Sequence, residues 1–304
     1  MKKKYFLVGF LCVQFFAYAQ NKALPLKEVI DTNQTITELS LDCNEISVFS
    51  DSIDKLSELT SLYVTGCELK QIPFEISQFQ KLKLLNLESN ELAFIPKDFT
   101  NLEQLRVLNL RNNEFKEIPN FLSKLSNLRE IDLAKNPNLN MFQASKVLTQ
   151  IEKLDFLYLS GNNLKQLPNE FSNFKALQEL HLSNNPGLDL DQFFSIVAKI
   201  ESLKILVLSE NELTIIPENI TVLQQLDGLV LDTNPNLQMI DLVSKLNFLP
   251  NLKVVLLRKN GLRTLPKKLT GFSQLKILDL SNNNFSKKEQ QRIQEQLPNT
   301  KVVF

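Results

Sequence analysis

The chain has 304 residues, 43% of them hydrophobic and 22% charged, with seven Gly, one His, three Cys and no Trp, the composition of a soluble globular protein. Lys plus Arg and Asp plus Glu each total 34, and beyond Lys2, Lys3 and Lys4 no run of three bases occurs, so nucleic-acid binding has no electrostatic basis. No two glycines lie closer than ten residues, one histidine cannot make an HExxH site, and Cys12, Cys43 and Cys67 form no CxxC pair, which excludes the usual phosphate loops, the GxSxG elbow and common zinc sites.

Residues 1–19 read as a secretory signal peptide: Lys2 to Lys4 form a charged start, Tyr5 to Phe16 an apolar stretch, and Ala17-Tyr18-Ala19 a small-x-small cleavage site before Gln20. The stretch is shorter than the roughly 20 residues a spanning helix needs. Cleavage leaves 31 bases against 34 acids and no later segment able to span a bilayer, so the expected location is outside the cytoplasm, periplasmic or secreted. Residues 20–35 follow as an N-terminal cap, with Leu26, Val29 and Ile30 supplying an apolar side to a short helix.

From residue 36 the chain repeats itself. The pattern L-x-x-L-x-L-x-x-N begins at Ile36, Leu59, Leu82, Leu105, Leu128, Leu154, Leu177, Leu203, Leu226, Leu252 and Leu275. Its ninth position is Asn in ten of eleven units, Asn44 and Asn113 among them, and Cys67 in the second. Pro73, Pro96, Pro119, Pro168, Pro217 and Pro266 each fall 14 residues after the start of their unit. From residue 128 units of 26 and 23 residues alternate, giving a 49-residue block three times, at 128–176, 177–225 and 226–274.

The x-L-x-L-x core of each unit alternates with period two, which predicts a short strand with Leu108 and Leu110 inward and Val107, Asn109 and Arg111 outward. The ninth-position Asn is expected to bond the backbone of its own and the neighbouring turn, while the eighth is exposed and tolerant, so Asn112→Ala should alter stability by less than about 0.5 kcal/mol. Short units should return along an extended or 3₁₀ path after Ile-Pro or Leu-Pro. In long units, apolar residues such as Met141, Ala144, Leu148 and Ile151 recur at helical spacing, predicting amphipathic helices on the convex side. Residues 284–304 read as a C-terminal cap, with a helix from Lys287 and a last strand from Lys301 to Phe304.

This repeat resembles the leucine-rich repeat family, in its 23-residue variety whose second half reads N-x-L-x-x-[IL]-P, interleaved here with 26-residue units as in a bacterial exported type. The resemblance implies an α/β repeat solenoid: a horseshoe with a concave parallel β-sheet, 11 repeats over residues 36–283, and terminal caps. It also implies a non-catalytic module that binds a protein partner through the concave face. The alternative is a glycan-binding or envelope-associated structural protein, with Tyr63, Asn86, Asn109 and Arg111 the nearest approach to a glycan site. A monomer is expected, and no catalytic residue, cofactor or metal.

His181 lies in the middle of a strand beside Tyr158 and Val207, with Asp132 the nearest acid in its column, and reads as a surface or partner-contacting residue. Cys43 at position eight and Cys67 at position nine should point apart, so no disulfide is expected and Cys67 reads as a buried substitute for the Asn. The residues assigned to partner contact are Phe156, Tyr158, Ile205, Val207, Val230, Val254, Leu256 and Ile277, all at outward strand positions where the repeat's own core demands no apolar side chain.

Overall fold

The computed structural model describes residue 26, residues 35–46 and residues 54–304. The expected leader lies outside these residues, as does the segment 20–35 apart from Leu26 and Thr35. Among the described residues twelve strands form one sheet in sequence order, every neighbouring pair parallel. They are β1 Glu38–Ser40, β2 Ser61–Tyr63, β3 Leu84–Asn86, β4 Val107–Asn109, β5 Glu130–Asp132, β6 Phe156–Tyr158, β7 Glu179–His181, β8 Ile205–Val207, β9 Gly228–Val230, β10 Val254–Leu256, β11 Ile277–Asp279 and β12 Lys301–Val303. The repeat fixes their register, for Leu85 pairs with Leu108 and Leu108 with Ile131.

Behind the sheet runs one continuous apolar layer. Leu108 and Leu110 have no exposed surface, and each such buried leucine contributes about 1.5–3 kcal/mol. In short units the proline holds an extended backbone and its carbonyl starts a 3₁₀ turn, as where Phe99 N–H donates to Pro96 O at 3.1 Å. Three long units carry helices instead: α1 Met141–Leu148, α2 Leu190–Val197 and α3 Met239–Leu246. Asn140 and Asp189 cap the first two by accepting backbone N–H groups of the first turn. Met141, Ala144, Leu148 and Ile151 are all buried. At the far end α4, Lys287–Gln296, begins at the Ser286 cap and buries Ile293 ahead of β12.

The Asn side chains form the expected ladder. Asn113 Nδ2 donates to Leu87 O and Leu110 O, both at 3.0 Å, and its Oδ1 accepts Leu92 N–H at 3.0 Å. Equivalent bonds recur from Asn90 to Asn283.

Three expectations fail. Asn44 is no rung: Asp42 and Glu45 form a capping box that curls residues 43–45 into a 3₁₀ turn, and Asn44 is exposed with its amide on Asp42. That early turn swings Cys43 towards the ladder column, where it pairs with Cys67, Cα to Cα 5.1 Å. The disulfide, not expected from regular repeat geometry, therefore arises because the first repeat departs from it. Position eight is exposed at Asn112 but not free of backbone constraint. Ser89, Asn112, Lys135, Asn184, Glu210, Thr233, Lys259 and Asn282 all have φ between 54° and 59°, the left-handed region where a side chain is strained.

Candidate concave interaction face

Residues three and five of each repeat project from the concave side. One column runs Glu130, Phe156, Glu179, Ile205, Gly228, Val254 and Ile277, and the other Asp132, Tyr158, His181, Val207, Val230, Leu256 and Asp279. The eight residues assigned to partner contact therefore lie on one face, six strands wide, interrupted at Glu179 and His181.

They are not equally accessible. Phe156, Tyr158, Val230, Leu256 and Ile277 are partly exposed, whereas Ile205, Val207 and Val254 are 7%, 9% and 6% exposed. On the inside of a curved sheet outward side chains converge, and branched ones on strands about 4.8 Å apart cover one another. Gly228, buried between Ile205 and Val254, adds no side chain to hold them apart.

The polar members of the fifth-position column carry local structure. Asn86, Asn109, Asp132 and Asp279 each accept, through Oδ1, the N–H two residues on, at 2.8–2.9 Å. These Asx turns lead the chain from strand to ladder. Asn109 is 1% exposed and also donates to Glu88, which pairs with Arg111 at 3.6 Å. The residues nearest to a glycan site are thus largely engaged within the chain.

The middle of the face is acidic and partly dehydrated. Burial pushes the Glu130 carboxyl up to about 7, the Asp132 and Glu179 carboxylates push the same way, and a hydrogen bond from Tyr158 opposes them. Burial likewise raises Asp132 to about 6 against its bond from Ala134 N–H and the nearby Arg111 charge, with Glu88 adding to the rise. His181, expected to be a surface or partner-contacting residue, is 9% exposed, which corrects the surface half of that reading. Its ring lies 4.3 Å from that of Tyr158, centroid to centroid, and its Nε2 sits 3.4 Å from Glu179 Oε2. Column reasoning missed Glu179 because this acid stands two residues back on the same strand, in the adjacent column.

A Leucine rich repeat family model matches residues 80–137, and a second Leucine Rich Repeat model matches 153–174 and 274–295. No curated protein is a significant match to the chain. Among solved structures it is similar to a leucine-rich repeat protein of Leptospira interrogans, 25% identical over 93% of each chain with a TM-score of 0.41. It is also similar to an internalin from Listeria monocytogenes, 22% identical over 86% of this chain and 87% of the other, with a TM-score of 0.52. The internalin likeness is one of fold. The matches to the two family models, the Asn ladder and a single parallel sheet built from 23- and 26-residue units support reading the chain as a leucine-rich repeat protein.

Proposed function

We propose that the protein is an exported, non-catalytic recognition module that acts as a monomer and grips a protein partner through the concave sheet from β6 to β11. The observation that carries this reading is a set of apolar side chains, Phe156, Tyr158, Val230, Leu256 and Ile277, left partly open to solvent on a face that no other described element covers. A core explanation is not available, since the core lies on the opposite side of the same strands. Aromatic anchors such as Phe156 and Tyr158 are the usual hot spots of protein interfaces.

Export rests on the leader pattern of residues 1–19 and is supported by the Cys43–Cys67 disulfide, which suits an oxidising compartment. Among the described residues no helix is long and apolar enough to cross a membrane. The protein reading is favoured over the glycan one because Asn86, Asn109 and Arg111 are bonded internally, whereas Phe156, Val230, Leu256 and Ile277 present apolar surface partly open to solvent. Among the described residues His181 packs between the Glu179 carboxylate and the Tyr158 ring, an arrangement that suits a packed recognition face.

The test begins with a partner captured on the immobilised protein and identified by mass spectrometry. Phe156→Ala and Leu256→Asp should each weaken its binding by about tenfold or more, the scale of an interface hot spot, with little change in melting temperature. Unchanged affinity in both variants would move the site off this half of the sheet.

A further inference from the structure

The edge of the sheet where the strands begin carries a second column, formed by the second residue of each repeat. Its members are hydrogen-bonded neighbours: Arg106 N–H donates to Lys83 O at 2.8 Å, Arg129 N–H to Arg106 O at 2.9 Å, and Asp155 N–H to Arg129 O at 2.8 Å. Lys83, Arg106 and Arg129 thus stand side by side on three consecutive repeats. Like charges directly opposite on neighbouring strands are destabilising, and the repeat does not require them, because Thr37, Thr60 and Gln178 fill the same position elsewhere.

A second row of bases, Lys253, Lys276 and Lys301, stands at the far end of the same column, but no cleft opens beside it among those described. Bases of the column also sit beside acids. Arg129 bonds the buried carboxylate of Asp155 through Nε and Nη2, and Lys253 Nζ lies 2.8 Å from Asp227. Among the described residues, exposed Lys83 and Arg106 have no acidic partner within 4 Å. Next to them opens a cleft of about 390 Å³ lined by Arg106, Arg129 and Lys153 with Asn127, Glu152 and Asp155. Two of its cations are held in place, Arg129 by Asp155 and Lys153 by Asn127 Oδ1 at 3.0 Å. Glu152 pairs with Lys175 at 3.6 Å.

From this juxtaposition we infer a second binding site, for an acidic polysaccharide whose carboxylates or sulfates lie along Lys83 and Arg106 and whose chain enters the cleft. The cations form a line and not a plane, spaced by the strand separation of about 4.8 Å, which is close to the length of one sugar unit. That geometry fits a linear polyanion better than a flat lipid surface. The mixed lining of amide, cation and carboxylate suits hydroxyl-rich rings. The site shares no residue with the proposed protein interface, so Leu256→Asp leaves it intact.

The test measures fluorescence anisotropy of labelled polygalacturonate and chondroitin sulfate, with phosphatidylglycerol vesicles in parallel. The Lys83→Ala/Arg106→Ala double variant is compared with Lys267→Ala/Lys268→Ala, which removes the same charge from an exposed pair beside a different shallow cleft. The inference expects salt-sensitive binding of at least one polymer, weakened about tenfold or more by the first variant and less than about twofold by the second, since local contacts set the electrostatic term. Both variants should retain the native circular dichroism spectrum. Binding of neither polymer, equal losses in the two variants, or binding to vesicles alone would each overturn it.

Discussion

Asn113 and Asn112 are adjacent and chemically identical, yet the fold uses them differently. Asn113 is buried with three backbone partners, so Asn113→Ala should cost about 1–3 kcal/mol through the groups it leaves unpaired. Asn112 sits at φ 54° with its amide on Ser89 Oγ. Asn112→Ala should therefore cost about 1 kcal/mol from the left-handed backbone, while Asn112→Gly should stay within about 0.5 kcal/mol of the parent. Denaturant midpoints check both, and an alanine variant as stable as the glycine one would contradict the backbone argument. The ladder was legible because one residue type recurs at one position. The left-handed turn was written less plainly, in Gly66, Gly161, Asn112, Asn184 and Asn282, amid Ser, Lys, Glu and Thr at the same position.

Glu130 gives the residue scale a pH signature. Its folded value of about 7 and that of Asp132, about 6, both exceed the ordinary 4.5 and 3.8. The folded chain then holds more protons than the unfolded one between those limits. The penalty of the ionised forms is fully present above the folded values and is relieved as pH falls towards the ordinary ones. Glu289, lowered to about 2 by its bonds from Arg292, acts in the opposite sense and only below about 4.5. Glu130→Gln should accordingly stabilise the protein by about 1–3 kcal/mol at pH 8, an advantage that shrinks towards pH 5. A difference between variant and parent that stays constant across this range would refute the assignment. The raised values were not visible in sequence, because they depend first on how deeply the curved sheet buries Glu130 and Asp132 and only then on the carboxylates around them.

At the scale of elements, the alternation of long and short units sets which helix meets which turn. Packing between α3 and the turn Thr270–Phe272 is so close that a Cβ at Gly271 would lie 1.8 Å from Val243 O. Gly271→Ala should therefore cost about 3 kcal/mol or more, since backbone must move, and thermal melting would show it. Retention of the parental midpoint would mean that the turn and helix are not in contact. The helices themselves could be read from apolar spacing, as Met239, Leu242, Leu246 and Leu249 are all buried. The first repeat could not, because regular geometry places Cys43 and Cys67 apart. The signal that overrides it is local, in Asp42-Cys43-Asn44-Glu45, whose acids at either end make a capping box and turn Cys43 towards its partner.

Across the whole molecule, each unit buries its apolar layer only against its neighbours, so stability accumulates along the array and both ends require cover. The Cys43–Cys67 link and the Leu26 N–H bond to Glu45 tie the first end together, and α4 with β12 closes the other. An α-helix is about 10 Å wide whereas strands stand about 4.8 Å apart. Inserting helices behind alternate repeats from residue 128 therefore makes the convex side longer than the sheet and bends it. Repeat period and strand faces could be read in advance; the crowding that this bend imposes, which buries Ile205, Val207 and Val254, could not.

The central claim is that recognition uses the concave sheet between β6 and β11. Hydrogen exchange measured by mass spectrometry, on the protein alone and saturated with its captured partner, tests this most directly. The account predicts slowed exchange confined to segments containing Phe156–Tyr158, Ile205–Val207, Gly228–Val230, Val254–Leu256 and Ile277–Asp279, with the convex helices α1 to α3 unchanged. Protection of those helices while the strands exchange as in the free protein would contradict it.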